Sequence, residues 1–108
     1  MARNVRWTET AINDLKEVAE FIGKDSQYYA AAIVQEARAA ARFLRTFAER
    51  GRVVPESNDP NVRELFIRSY RLIYKITPTH IYILAFVHGA RDLDSLWKRH
   101  GGPEQAGA

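Results

Sequence analysis

Arg71 stands one residue inside the apolar run "SYRLIYKI", where a charged head must find a partner or reach solvent. Two readings are open. A salt bridge to a carboxylate on a neighbouring strand, such as Glu64, would make it structural. An anion or phosphate contact at an open sheet face would make it functional. Arg91, in "HGARDL", follows the last long apolar run, and strand ends on a rigid scaffold commonly carry function. It can pair weakly with Asp92 or Asp94, or present its planar fork to an anion. His88, nearby in the chain, titrates near neutrality when unperturbed, and a lone His at a strand end can equally be structural. Arg38, Arg42 and Arg45 recur at helical spacing and form a stripe. That stripe is either a solvated face or a docking surface for an acidic peptide or nucleic acid.

Other chemistry lacks its residues. The chain has no Cys, no H-E-x-x-H, no P-loop and no G-x-S-x-G. Zinc hydrolysis, nucleotide hydrolysis and α/β-hydrolase chemistry are therefore unsupported. His80, His88 and His100 do not have metal-ligand spacing, so neither a metal nor another cofactor is expected. The absence of Cys excludes disulfides and fits a reducing cytoplasm. "MARNVRWTET" contains no apolar core of a signal peptide, and no run suits a membrane span.

The elements that must position these residues follow from patterning. With 108 residues, 46% hydrophobic and 27% charged, the chain is one globular domain. The formal net charge is +3, unevenly spread. Residues 1–36 hold four basic and six acidic side chains, whereas residues 37–54 hold five Arg and a single Glu. "NVRW" (Asn4–Trp7) reads as an edge strand. A helix capped by Thr8 follows, with Ala11, Ile12, Leu15, Ala19 and Ile22 on one face, and breaks at Gly23. Asp25 or Ser26 caps a second helix from about Gln27 to Phe47, and the short break makes the pair an antiparallel hairpin. "ERGRVVPESNDPN" (Glu49–Asn61) is loop.

Strands are expected at Val62–Ile67, Tyr70–Thr77 and Ile81–His88, joined by tight turns at Arg68-Ser69 and Pro78. A short strand or helical turn is expected over Leu93–Arg99. The domain spans 1–100, and "GGPEQAGA" (101–108) is a disordered tail. The fold class is α+β: an N-terminal strand and an antiparallel helical hairpin on a small antiparallel sheet. Strict alternation puts Tyr82, Leu84 and Phe86 on one face and Ile81, Ile83, Ala85 and Val87 on the other. Both faces are then largely apolar. A hairpin covers only one of them, so an exposed apolar second face is expected.

The residues Trp7, Ala11, Asp14, Leu15, Phe21 and Ile22, then "GRVVPE", "VREL", "YRLIYKI" and "ILAFVHGARDL", resemble the RelE/ParE toxin superfamily over roughly Val5 to Trp97. These are toxins of bacterial type II toxin–antitoxin systems. The resemblance implies the fold just described and a cognate antitoxin whose C-terminal segment wraps the toxin in a hetero-oligomer. It also offers that segment as a cover for the second face.

RelE-like members cut mRNA in the ribosomal A site; ParE-like members poison DNA gyrase. Arg71 matches the family's "YR" arginine, Arg91 the arginine after the last strand, and Trp97 falls where RelE has a functional Tyr. Arg63 and Arg68 stand on the strand where RelE carries lysines. Arg stabilises charge but makes a poor general base, and Trp stacks without a hydroxyl. Glu64 and His88 are the remaining candidates for base and acid. "GRVVPE" and a strand ending in "VH" resemble ParE-like members, so a gyrase poison is the expectation. A ribosome-dependent mRNA endoribonuclease and a non-toxic antitoxin-binding scaffold are the alternatives.

Overall fold

The computed structural model describes residues 2–89. Strand β1 (Asn4–Trp7) leads into helix α1 (Glu9–Gly23) and helix α2 (Gln27–Phe43). Strands β2 (Arg52–Val53), β3 (Val62–Ile67), β4 (Tyr70–Ile76) and β5 (His80–His88) follow. The five strands form one sheet in the order β1-β5-β4-β3-β2. The α+β class is as expected, but the sheet is mixed: β1 lies parallel to β5, and the other pairs are antiparallel. A parallel neighbour needs a long crossover, and the helical hairpin is that crossover.

Local chemistry sets the helix ends. The Thr8 hydroxyl accepts the Ala11 N–H at 3.1 Å and donates to the Ile83 carbonyl at 2.8 Å, so one side chain caps α1 and ties it to β5. Ser26 caps α2 through the Tyr29 N–H. Helix α2 stops at Phe43 rather than Phe47. There the bonds tighten: Arg45 and Thr46 donate to the carbonyls three residues back. Strand β2 lies inside the stretch expected to be loop.

A bulge corrects the alternation in β5. Ile73 pairs with Ala85 and Tyr74 with Ile83, which leaves Leu84 as an extra residue. Beyond it every side chain changes face. Phe86 joins Ile81, Ile83, Leu72 and Tyr74 under the helices, while Ala85 and Val87 join Leu84 and Ile73 on the far side. The buried Asp14 carboxylate of α1 accepts the Phe86 N–H at 3.1 Å, where β1 no longer flanks β5.

The second face is not an exposed patch. Val62, Ile73, Leu84, Ala85 and Val87 are buried there in a second apolar cluster with Val54, which the segment after β2 contributes. The expectation of an uncovered face is overturned: among the described residues, the sheet lies between two buried apolar clusters.

Candidate functional site

Among the described residues, Glu64 is the carboxylate held by two arginines. It faces the second side of the sheet, and its side chain is fully buried between two arginines. Arg52 Nε donates to Oε2 at 2.6 Å; an Arg71 terminal nitrogen lies 3.4 Å from Oε1. The register builds this triad. Arg52 pairs across from Glu64, and Arg71 sits across from Phe66 on the other neighbour of β3. Both guanidiniums approach the ring of the exposed Phe66, at 5.6 and 5.8 Å. Of the two readings of Arg71, the ion pair with Glu64 is the one present. Two arginines around one carboxylate leave net positive charge beside an aromatic ring, and Arg52 carries it outward with 62% of its side chain exposed. Arg52 was missed in the sequence, because its partner lies across a strand pair that the loop composition concealed.

Gly51 makes that pairing possible. It donates its N–H to the Tyr74 hydroxyl at 2.9 Å, and the same hydroxyl donates to the Ala48 carbonyl at 2.7 Å. Arg63 braces the segment from the side, donating to the carbonyls of Gly51 at 2.9 Å and Glu49 at 3.2 Å. Burial pushes the Tyr74 phenol above the usual tyrosine range, partly opposed by the Gly51 N–H and by Arg63. The folded form therefore holds this proton more tightly than the unfolded chain. That stabilisation is complete below the ordinary tyrosine value, about 10, and is lost as pH rises through the higher folded value. Tyr74→Phe should cost about 1–3 kcal/mol near neutral pH, because a buried N–H and carbonyl lose their partner. It should also flatten the fall in stability above about pH 10. Denaturant melts across that range check both, and an unchanged slope would show that Tyr74 is not the titrating group.

The other candidates lie apart. Arg68, in the β3–β4 turn at φ 56°, forms a bidentate ion pair with Glu36 of α2 and lies over the Tyr29 ring at 5.7 Å. The hydrogen bond from Arg68 holds the Glu36 carboxyl below its ordinary range. His88 follows Val87 on β5 and so shares the helix side with Tyr70, whose ring it meets edge-on at 5.5 Å. Glu64 faces the opposite side, so the two candidate acid–base groups are separated by the sheet. Arg91, Trp97 and the Leu93–Arg99 element lie outside the described residues, as does the 101–108 tail. Among the described residues no group of His, Asp or Glu could hold a metal ion, and no helix is long and apolar enough to cross a membrane.

A groove of about 420 Å³ runs between β1, α1 and α2. Its walls are apolar, including Val5, Trp7, Ile12, Leu15 and Val34, while Lys16, Arg38 and Arg42 bring positive charge to it. Two members of the arginine stripe thus border an apolar channel, which periodicity alone did not reveal.

A sequence model described as the ParE toxin of the type II toxin–antitoxin system, parDE, matches residues 5–93. No curated protein matches the chain at a significant level. Among solved structures, a chain of the chromosomal ParDE toxin–antitoxin system from P. aeruginosa is 22% identical, with a TM-score of 0.66. That match covers 81% of this chain and 96% of the other. A chain of the toxin–antitoxin complex RelBE2 from Mycobacterium tuberculosis is 23% identical, with a TM-score of 0.56, covering 82% of this chain and 99% of the other.

Proposed function

The chain belongs to the ParE toxin family of type II toxin–antitoxin systems, and from that premise we propose that it arrests bacterial growth by poisoning DNA gyrase in the cytoplasm. The observation that carries this reading is the state of Glu64. Its carboxylate is inaccessible, held between Arg52 and Arg71, and lies across the sheet from His88. A nuclease of this fold needs a base for the ribose 2′-OH and an acid for the leaving oxygen, and losing proton transfer costs on the order of a hundredfold or more. No such pair assembles among the described residues. A gyrase poison needs none, because the topoisomerase makes and reseals the DNA break and the toxin only has to bind and hold that state. Arg52 and Arg91 supply positive charge for the contact, with Arg71 adding its field from behind, and Phe66 supplies an aromatic surface.

The family carries a cognate antitoxin as partner. With the second sheet face buried, the groove between β1, α1 and α2 is the seat that suits it. Its apolar walls and the charges of Lys16, Arg38 and Arg42 fit an amphipathic segment bearing carboxylates. Toxin and antitoxin then form a hetero-oligomer.

Expression of the chain alone in bacteria tests the proposal. Growth should stop, cells should filament, and the DNA-damage response should rise before protein synthesis falls; co-expressed antitoxin should restore growth. A primary block in translation would place the target at the ribosome, and harmless expression would leave only an antitoxin-binding scaffold.

A further inference from the structure

Neither the sheet cluster nor the groove uses Phe43, the last residue of α2, or Phe47 just beyond it. Phe43 and Phe47 stack there one helical turn apart, with ring centroids 4.7 Å apart and planes 23° from parallel. Both remain open, at 46% and 54% exposure. The Arg50 guanidinium lies 5.1 Å from the Phe43 ring centre. Arg3 lies alongside, and Arg45 is bonded to it. The Arg3 N–H donates to the Arg45 carbonyl at 3.0 Å, Arg45 Nε donates to the Arg3 carbonyl at 3.3 Å, and Arg3 Nε donates to the Thr77 carbonyl at 2.8 Å. These bonds engage each Nε and anchor the stems. Among the described residues, Arg3, Arg45 and Arg50 make no ion pair. A cleft of about 580 Å³ joins Arg3, Phe43, Phe47 and Arg50, with Glu49 as the one carboxylate among its described lining residues.

We propose that this patch binds single-stranded nucleic acid, with bases stacking on the Phe43–Phe47 pair and phosphates meeting Arg3, Arg45 and Arg50. Three cations without carboxylate partners make a positive patch that favours an anionic ligand. The aromatic pair decides which kind. Two nearly parallel rings, ordered before any partner arrives, offer a flat face that a nucleobase matches and that Asp or Glu side chains do not use. An acidic peptide would satisfy the arginines and leave the rings unexplained. The site stands apart from the Glu64 triad and holds whether the poisoned machine is gyrase or another nucleic-acid enzyme.

Fluorescence anisotropy with a labelled oligothymidine of about 15 nucleotides, long enough for one such site, tests this on the full chain. Binding should weaken with salt at a log–log slope near −2, as expected for about three phosphate contacts on a single strand. Joint Phe43→Ala and Phe47→Ala should weaken it by about tenfold or more, within the range for losing one or two stacked bases. Phe47→Trp should retain binding, and joint Arg45→Gln and Arg50→Gln should shallow the salt slope. The last two variants decide the matter even if the alanine pair fails to fold, which a thermal melt reports. No binding at low salt, or binding indifferent to both the phenylalanines and the arginines, overturns the proposal. So does displacement by polyglutamate as effective as by unlabelled oligonucleotide, which would assign the patch to an acidic peptide. The assay contains no gyrase, so its failure leaves the gyrase reading standing.

Discussion

Glu64→Ala should lower stability by about 3 kcal/mol, the cost of removing one partner from a buried ion pair. In a domain of this size that is a melting point lower by more than about 10 °C. The side chain is fully buried between two guanidiniums. The losses at the two differ. Arg52 is 62% exposed and can turn to water, whereas Arg71 is only 16% exposed and already has a buried Nε without a hydrogen bond. Removing Glu64 therefore strands one buried charge rather than two, which sets the loss at the lower end of the range for such pairs. Joint Glu64→Leu and Arg71→Leu should recover most of that loss, since well-packed apolar replacements of a buried pair are often neutral. A single Glu64→Ala variant that melts with the parent would show that the triad is not held in solution. Arg71→Ala should destabilise for the reciprocal reason, so a loss of toxicity in that variant must be read beside its melting curve.

Gly51→Ala should cost about 3 kcal/mol as well, the upper end of what overpacking does. The backbone there is extended, with φ −74° and ψ 157°, so an alanine meets no conformational penalty. The obstacle is space. A Cβ would sit 2.6 Å from the Tyr74 hydroxyl, 2.7 Å from the Glu64 carbonyl oxygen and 2.8 Å from Tyr74 Cε1. Moving Tyr74 relieves part of the clash, but the Glu64 carbonyl belongs to the sheet backbone and cannot yield. The neighbouring Arg52–Glu64 pairing should loosen with it. The check is a denaturant melt of Gly51→Ala in the parent and in a Tyr74→Phe background. The second clash survives, so the loss should persist there. Full tolerance of alanine in the parent would contradict the close approach.

How much of this was legible in the sequence depends on the range of the interaction. Thr8 and Ser26 could be read as caps because a cap acts within three residues. The helix hairpin and β3–β5 followed from periodicity. Strict alternation puts Phe86 on the wrong face because a two-residue period carries no mark of the extra Leu84. The burial of the second face is not legible because apolar residues on a strand do not say what will cover them. The same limit shaped the site. The Arg71–Glu64 ion pair is one of two open readings in the sequence, and only the register brings the two side chains together. Arg52 meets Glu64 through the β2–β3 register, and the need for Gly51 rests on a contact with Tyr74, 23 residues away; no local pattern encodes either.

The claim that this protein acts by holding gyrase rather than by cutting RNA is tested most directly with purified components. Supercoiled plasmid, DNA gyrase and ATP are incubated with the full chain, then denatured to reveal enzyme trapped covalently on broken DNA. Ribosomes carrying a defined mRNA are treated in parallel. Trapped gyrase–DNA complexes should rise with toxin and vanish with antitoxin, while the mRNA stays intact. Cleavage of the ribosome-bound mRNA at the A site, with gyrase supercoiling unaffected, would contradict the account and make His88 and Trp97 the first residues to examine.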